Sequence, residues 1–309
     1  MNKIAAVLGD ISPGVLGFCQ SHEHLSITGS IDDPKKNTAE LKLYHNAGGR
    51  AIVDAQPVGC GRESGLLSRI SKESAVHIIA STGFHKLSFY PENHWIRSSS
   101  EEELTELFIH ELKQGMYLDG NIDFPKRQDS ARAGQIKTAL DTEGLSSRYQ
   151  KLFTAAVQAA KDAGCAVMVH IEKNSDPLEL AAFFAKQGIK GERLIFCHLD
   201  RAIADINIHK DICEQGIYLE YDTIARPKYH DDEKEISIIL EMVKAGYGNR
   251  ILLSLDTTRE RLRSYGGTPG LTYILDVFIP LLLKRGLSET HIRSFFTENP
   301  ARVFARSEI

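Results

Sequence analysis

The sequence predicts an α/β fold, a closed (β/α)8 TIM barrel entered through a short N-terminal β-hairpin. Three observations carry that expectation. Eight short apolar runs alternate with helical segments along the chain, the pattern of parallel strands joined by crossover helices. No G-x-G-x-x-G follows the first run, which weighs against a doubly wound open sheet, the alternative architecture. Polar residues recur near the C-terminal ends of several runs, where barrel enzymes assemble their sites: His22, His24, Lys137, His170, His198 and Asp256.

In chain order, residues 4–8, a turn over 9–14 and the segment from Val15 onward read as the hairpin feeding the first strand, which carries His22 and His24. A polar loop over 32–36 precedes a helix over 39–46, stopped by Gly48 and Gly49. Strand two is 51–55, a helix covers 65–73, and strand three is 77–83. The excursion from Phe84 to Trp95 exceeds a plain connection, and loops of that length are usually functional. Ser98–Ser100 followed by three glutamates opens a helix with cap and dipole both favourable, running toward Gln114. The alternation is then regular: strands at 133–139, 166–170, 194–198, 217–221 and 251–256, with helices at 146–163, 177–187, 203–215 and 233–245 between them.

The 309 residues fit one barrel domain spanning 1–309, with no linker to divide them. Charged residues at 25% beside 42% hydrophobic residues give a full core and exclude disorder. The formal charge of −4 leaves no global basic surface for nucleic acid, so any anion site must be local. The absence of a run of about 20 apolar residues argues against a membrane span. Five scattered cysteines without a C-x-x-C fit buried thiols in a reducing cytoplasm.

His22 and His24 sit two residues apart, so on a strand both face one way and can grip one metal ion while Glu23 faces the other. A bare H-x-H is otherwise a pair of surface histidines, a strand-end histidine a core residue, a lone lysine a surface residue and a strand-end aspartate a helix cap. Their joint occurrence at one barrel face favours a site.

The motifs Val7-Leu8-Gly9, Ser12-Pro13 and His22-Glu23-His24-Leu25 resemble the phosphotriesterase-like family of the amidohydrolase superfamily. The likeness continues through Thr82-Gly83-Phe84, Ala133–Lys137, Val169-His170, Cys197–Arg201, Leu253–Asp256 and Asn299–Phe304. It implies a hydrolase with two divalent ions, zinc first and manganese or cobalt as alternatives. His22, His24 and Asp256 would hold the more buried ion, and His170 and His198 the more exposed one. Lys137 would bridge both as a carbamate formed with CO2, and a bridging hydroxide would be the nucleophile, with Asp256 taking and returning its proton. Cys19 stands where the family signature has a threonine, a packing substitution.

The substrate must be read from the basic loops. Arg226, Lys228 and Tyr229 follow the seventh run, and Arg259, Arg261 and Arg263 follow the eighth, a recurrent phosphate position in barrels. Any one of them is equally a solvated cation paired with Asp231, Asp232, Glu233 or Glu260. The stretches Asp256–Arg259 and Ser264–Gly267 are similar to the phosphorylated-sugar lactonase branch, which implies Lys228 and Arg259 as phosphate contacts, with Tyr229 and Lys86 behind them. His85 is a candidate lining residue, and His94 and His230 candidate mouth residues. The expected activity is therefore opening of a phosphorylated sugar lactone, a small anionic substrate, by a homodimeric enzyme. Alternatives are a phosphoester or organophosphate hydrolase, a lactonase of unphosphorylated lactones, and an idle barrel serving as a binding module.

Overall fold

The structure is a computed structural model describing residues 2–306. The hairpin is present as β1 (Ile4–Ala6) paired antiparallel with β2 (Gly9–Ile11). Its turn falls at Val7 and Leu8, earlier than the sequence suggested, because Gly9 at φ 120° already begins the return strand.

The first barrel strand is β3 (Cys19–Glu23). Helix α1 (Pro34–Asn46) begins five residues before the expected start. Asp33 accepts from the backbone N–H groups of Lys35 and Lys36, and Pro34 occupies the first turn, so the polar stretch is a capped helix start. Next come β4 (Ala51–Asp54) and α2 (Ser64–Ser74). The third run is split at Ala80 into β5 (His77–Ile79), which pairs with β4, and β6 (Ser81–Gly83), which pairs with β7 (Gln135–Leu140).

The excursion between them contains α3 (Trp95–Ser98) and α4 (Glu101–Lys113), whose N-terminus is the expected capping box between Ser100 and Glu103. Then follow α5 (Ser147–Ala163), β8 (Val167–Ile171), α6 (Pro177–Lys186) and β9 (Leu194–Cys197). The helix expected over 203–215 is α8 (Ile206–Glu214), which starts later because Ile203 is extended and Asp205 caps a new start; a short helix, α7 (Leu199–Ala202), precedes it. The chain closes with β10 (Tyr218–Tyr221), α9 (Asp232–Lys244), β11 (Ile251–Leu253), α10 (Ile279–Lys284), α11 (Glu289–Arg293) and α12 (Asn299–Val303).

All pairings from β3 to β11 are parallel. The seam between last and first strands is closed by Asp256 N–H donating to His22 O at 3.1 Å. Buried Glu23 reinforces it by accepting from Leu255 and Thr257 N–H at 2.8 and 3.0 Å. Strand alternation sorts two cores. Ala51, Val53, Met168, Ile195 and Leu252 pack inside the barrel above Ile4 and Phe304, whereas Ile52, Val167, Val169 and Leu253 join the shell beneath the helices. Among the described residues, no helix is long and apolar enough to cross a membrane.

Candidate metal centre and its cavity

Two backbone irregularities aim the histidines. Alternation from inward-facing Cys19 would send His22 outward, but the β3–β4 register shifts between Gln20 and Glu23. Likewise His198 follows inward Cys197 and would face the helices, were it not turned by a left-handed φ of 69°. Lys137 and His170 need no such device, since they share parity with inward Gln135 and Met168. Asp256 has φ 49°, another left-handed position.

The six sequence-predicted ligands come together. His24 Nε2 lies 3.3 Å and His22 Nε2 3.7 Å from Asp256 Oδ1, and Lys137 Nζ lies 3.2 Å from His22 Nε2. The rings of His22 and His198 are 5.0 Å apart between centroids, and those of His170 and His198 4.4 Å. Lys137 is fully buried, and no carboxylate pairs with its ammonium among the described residues.

Their surroundings set charge and tautomer. Asp222 Oδ1 is hydrogen-bonded to His198 Nδ1 at 2.6 Å, which directs that ring's Nε2 toward the centre, and Oδ2 faces His22 Nδ1 at 3.2 Å without completing a hydrogen bond. Burial, with Lys137 adding to it, lowers the pKa of His22 to about 4, and burial holds His198 well below the usual histidine value. Burial works to raise Asp256, yet Arg226, His24 and Arg201 outweigh it and hold the carboxyl well below the usual range. Neutral imidazoles beside an ionised carboxylate are the protonation states that bind divalent metals, and the nitrogen and oxygen donors suit zinc, manganese or cobalt.

Asp222 and Arg201 went unrecognised as site residues in the sequence, and Arg226, expected among the cations of an anion site, is instead a partner of Asp256. Arg226 Nη1 donates to Asp256 Oδ2 at 2.8 Å and Arg201 Nη2 to the same oxygen at 3.1 Å, leaving Oδ1 to the histidines. Asp222 directly follows the seventh run, so the strand-end criterion that selected His198 applies to it equally. Arg201 lay within the Cys197–Arg201 motif.

The centre opens through His170 onto a cavity of about 840 Å³ lined by Lys86, Glu172, Arg201, Lys228 and Tyr229. Glu172 Oε2 is 3.4 Å from His170 Nε2 and 2.5 Å from Lys86 Nζ. The Tyr229 ring makes cation–π contacts with both Arg201 and Lys228, 4.9 and 4.7 Å from its centroid. Lys228 has no carboxylate partner among the described residues. The structure does not bring Arg259 to this cavity: its Nη1 donates to Ser30 O at 3.2 Å and its guanidinium lies over Tyr265. His85, with its ring 5.3 Å from that of His170, stands beside the centre. A larger cavity of about 950 Å³, lined by Arg226, Lys228, Arg261 and Tyr273, touches none of the six candidate ligands.

This chain is 31% identical over 331 residues to a phospho-furanose lactonase of Mycoplasmopsis synoviae, covering 99% of this chain and 93% of that one. It is 28% identical over 349 residues to the N-acetyltaurine hydrolase of Xenopus tropicalis, covering 96% of each. Its fold superposes on a lactonase from Listeria monocytogenes with a TM-score of 0.90 at 27% identity, covering 99% of this chain and 100% of that one. The sequence pattern of the Phosphotriesterase family matches residues 2–304, from the hairpin to the last helix. With barrel, hairpin and strand-end histidines all inside that match, the chain belongs to the Phosphotriesterase family of hydrolases.

Proposed function

We propose that this protein is a binuclear-metal-dependent lactonase that opens small phosphorylated sugar lactones. The observation that carries the reading is the junction of two features: imidazoles converging around Asp256, and a cavity beside them lined by Lys228, a cation with no carboxylate partner among the described residues. The relative named a phospho-furanose lactonase supports the substrate class.

His22, His24 and Asp256 would hold one ion, and His170 and His198 the other. Lys137, buried with no carboxylate partner among the described residues, would join the two as a carbamate, an anionic bridge between the ions. Zinc is the proposed metal. Ions held there would supply a water activated near neutral pH and polarise the lactone carbonyl.

The chain's own groups do the rest. Arg201 and Arg226 hold Asp256 Oδ2 and keep the carboxyl ionised, so a proton arriving on it is readily released to a leaving alkoxide. Lys228, with Tyr229 packed beneath its ammonium, would anchor the phosphate. Lys86 is tethered by Glu172 at the cavity wall, and Arg259 would need to leave Ser30 to contribute. Assembly as a homodimer, with a location in the cytoplasm, belongs to the same proposal.

A second reading, hydrolysis of an N-acyl amide with an anionic tail, is favoured by the N-acetyltaurine hydrolase relative. Both substrates pair a hydrolysable acyl carbon with a remote anion. A panel of a phosphorylated furanose lactone, its unphosphorylated parent, N-acetyltaurine and a phosphotriester separates them: the proposal expects the first to have the highest kcat/KM, and a higher value for N-acetyltaurine would replace it.

A further inference from the structure

Asp200, His230 and Glu235 lie outside the centre described above, where α7, the loop after β10 and the first turn of α9 meet. One oxygen or nitrogen from each lies within 4.8 Å of the others. Asp200 and Glu235 are buried, at 6% and 0% exposure. Asp200 spends Oδ2 on the N–H groups of Asp222 and Thr223, at 3.1 and 2.7 Å, which leaves Oδ1 without a partner. Neither oxygen of Glu235 receives a hydrogen bond, and His230 Nε2 makes none either.

The directions of the lone pairs decide what is missing. His230 Nδ1 stands 3.1 Å from the carbonyl oxygen of Asp231, to which it can only donate. Its Nε2 stands 3.2 Å from Glu235 Oε2. His230 Nε2, both Glu235 oxygens and Asp200 Oδ1 therefore converge with no hydrogen bond satisfying them. Burial first, and then the negative charge of Asp200, push Glu235 well above the usual carboxyl range, and Asp222 and Asp232 add to the effect. Arg201, the neighbouring cation, pairs with Asp222 and Asp256, and its charge also favours the ionised form of Asp200.

Protons shared among these groups would satisfy them in the metal-free protein, and a bound cation would displace those protons. A single divalent ion engages all three side chains. Two ligands bonded at about 2.0–2.2 Å stand about 2.8–3.6 Å apart across octahedral and tetrahedral angles, a range that includes the separation of His230 Nε2 and Glu235 Oε2. Asp200 and His230 both line the cavity of about 840 Å³, so water has room to complete the shell.

We propose that Asp200, His230 and Glu235 form a separate mononuclear site for a divalent transition-metal ion, with open positions toward the cavity. One nitrogen and two carboxylate oxygens suit manganese or zinc. An ion there fastens the loop bearing Lys228 and Tyr229 to the helix that follows His198. It thereby acts on the substrate cavity by position, whatever substrate the enzyme takes.

The test uses full-length protein saturated with Mn(II), crystallised, and measured at wavelengths around the manganese absorption edge. An anomalous peak between the three side chains is expected. Its position is read separately from the His22–Asp256 cluster, so occupancy there does not affect the outcome. Elemental analysis of washed protein should show one fewer ion per chain in Glu235→Gln than in wild type. Should Glu235→Gln fail to fold, His230→Gln at the cavity edge serves the same purpose. A saturated crystal without anomalous density at the triad overturns the proposal and makes the cluster a proton-sharing acid pair, as does an unchanged ion count in a folded variant.

Discussion

The carboxylate of Asp222 stands 2.6 Å from Nδ1 of His198, and its other oxygen faces Nδ1 of His22. One buried acid thus stands against a histidine from the shell of each proposed ion. Such partners of ligating histidines are typically worth about 10–100-fold in metal affinity. Asp222→Ala is therefore expected to lose metal to a competing chelator at about that factor lower concentration while keeping its circular dichroism. Unchanged affinity would mean that other contacts hold the rings.

Lys137→Ala should be inactive and regain part of its turnover with added short carboxylates, which can replace a bridging anion. The readout is turnover against acetate or propionate concentration at fixed metal. Full activity without any additive would remove Lys137 from the centre.

Lys228 and Arg259 bear on specificity. A phosphate held away from the reacting carbonyl positions the ring, so losing the anchor lowers kcat as well as affinity. Each charge-assisted contact is worth roughly 1.5–3 kcal/mol, about one to two decades. Lys228→Ala should lose that much kcat/KM on the phosphorylated lactone and little on its parent, and Arg259→Ala should lose less, since Arg259 is bound to Ser30. Equal losses on both substrates would assign these residues to cavity shape.

Arg62 and Glu111 form a fully buried, two-pronged ion pair at 2.8 and 2.6 Å, with Arg62 also donating to Ser81 and Tyr117 carbonyls. Removing one partner strands the other charge, at a cost of about 3–5 kcal/mol. Glu111→Ala should show that loss in urea unfolding. A loss within experimental error would mean that water reaches Arg62.

His209 is buried with Nδ1 2.8 Å from the Tyr221 hydroxyl and Nε2 2.9 Å from Ile203 O, and burial lowers its pKa from 6.5. Because the folded value is depressed, the unfolded chain binds the proton first. The contribution is complete above about pH 6.5 and is lost as pH falls toward the folded value. Thermal unfolding of His209→Gln should show a shallower loss between about pH 6.5 and 5 than wild type; parallel curves would assign the acid sensitivity elsewhere.

The barrel was legible because its strands are short apolar runs with polar residues at one end, and the ligand types followed from those positions. What stayed hidden was local backbone geometry. Nothing in Ser21–Glu23 signals the register shift that turns His22 inward, and a histidine, though it adopts the left-handed region more often than most non-glycine residues, does so too seldom for the turn at His198 to be read from sequence. The start of α1 was misplaced because Asp33 and Pro34 read equally as a turn. Asp222 escaped because Asp-Thr after a strand is an ordinary loop beginning, and only the fold shows two imidazoles facing it. Arg259 was drawn to the phosphate by its place after the eighth strand, but the structure ties it to Ser30 and Tyr265.

The most direct measurement is lactone opening followed by pH-stat on a phosphorylated furanose lactone, with protein stripped of metal and then titrated with zinc or manganese. Turnover should vanish on stripping and return as about two ions bind per binuclear site in wild type, but not in Asp256→Asn with the same metal content. Turnover that survives stripping, or that returns fully in Asp256→Asn, would contradict a metal-dependent centre built on His22, His24, Lys137, His170, His198 and Asp256.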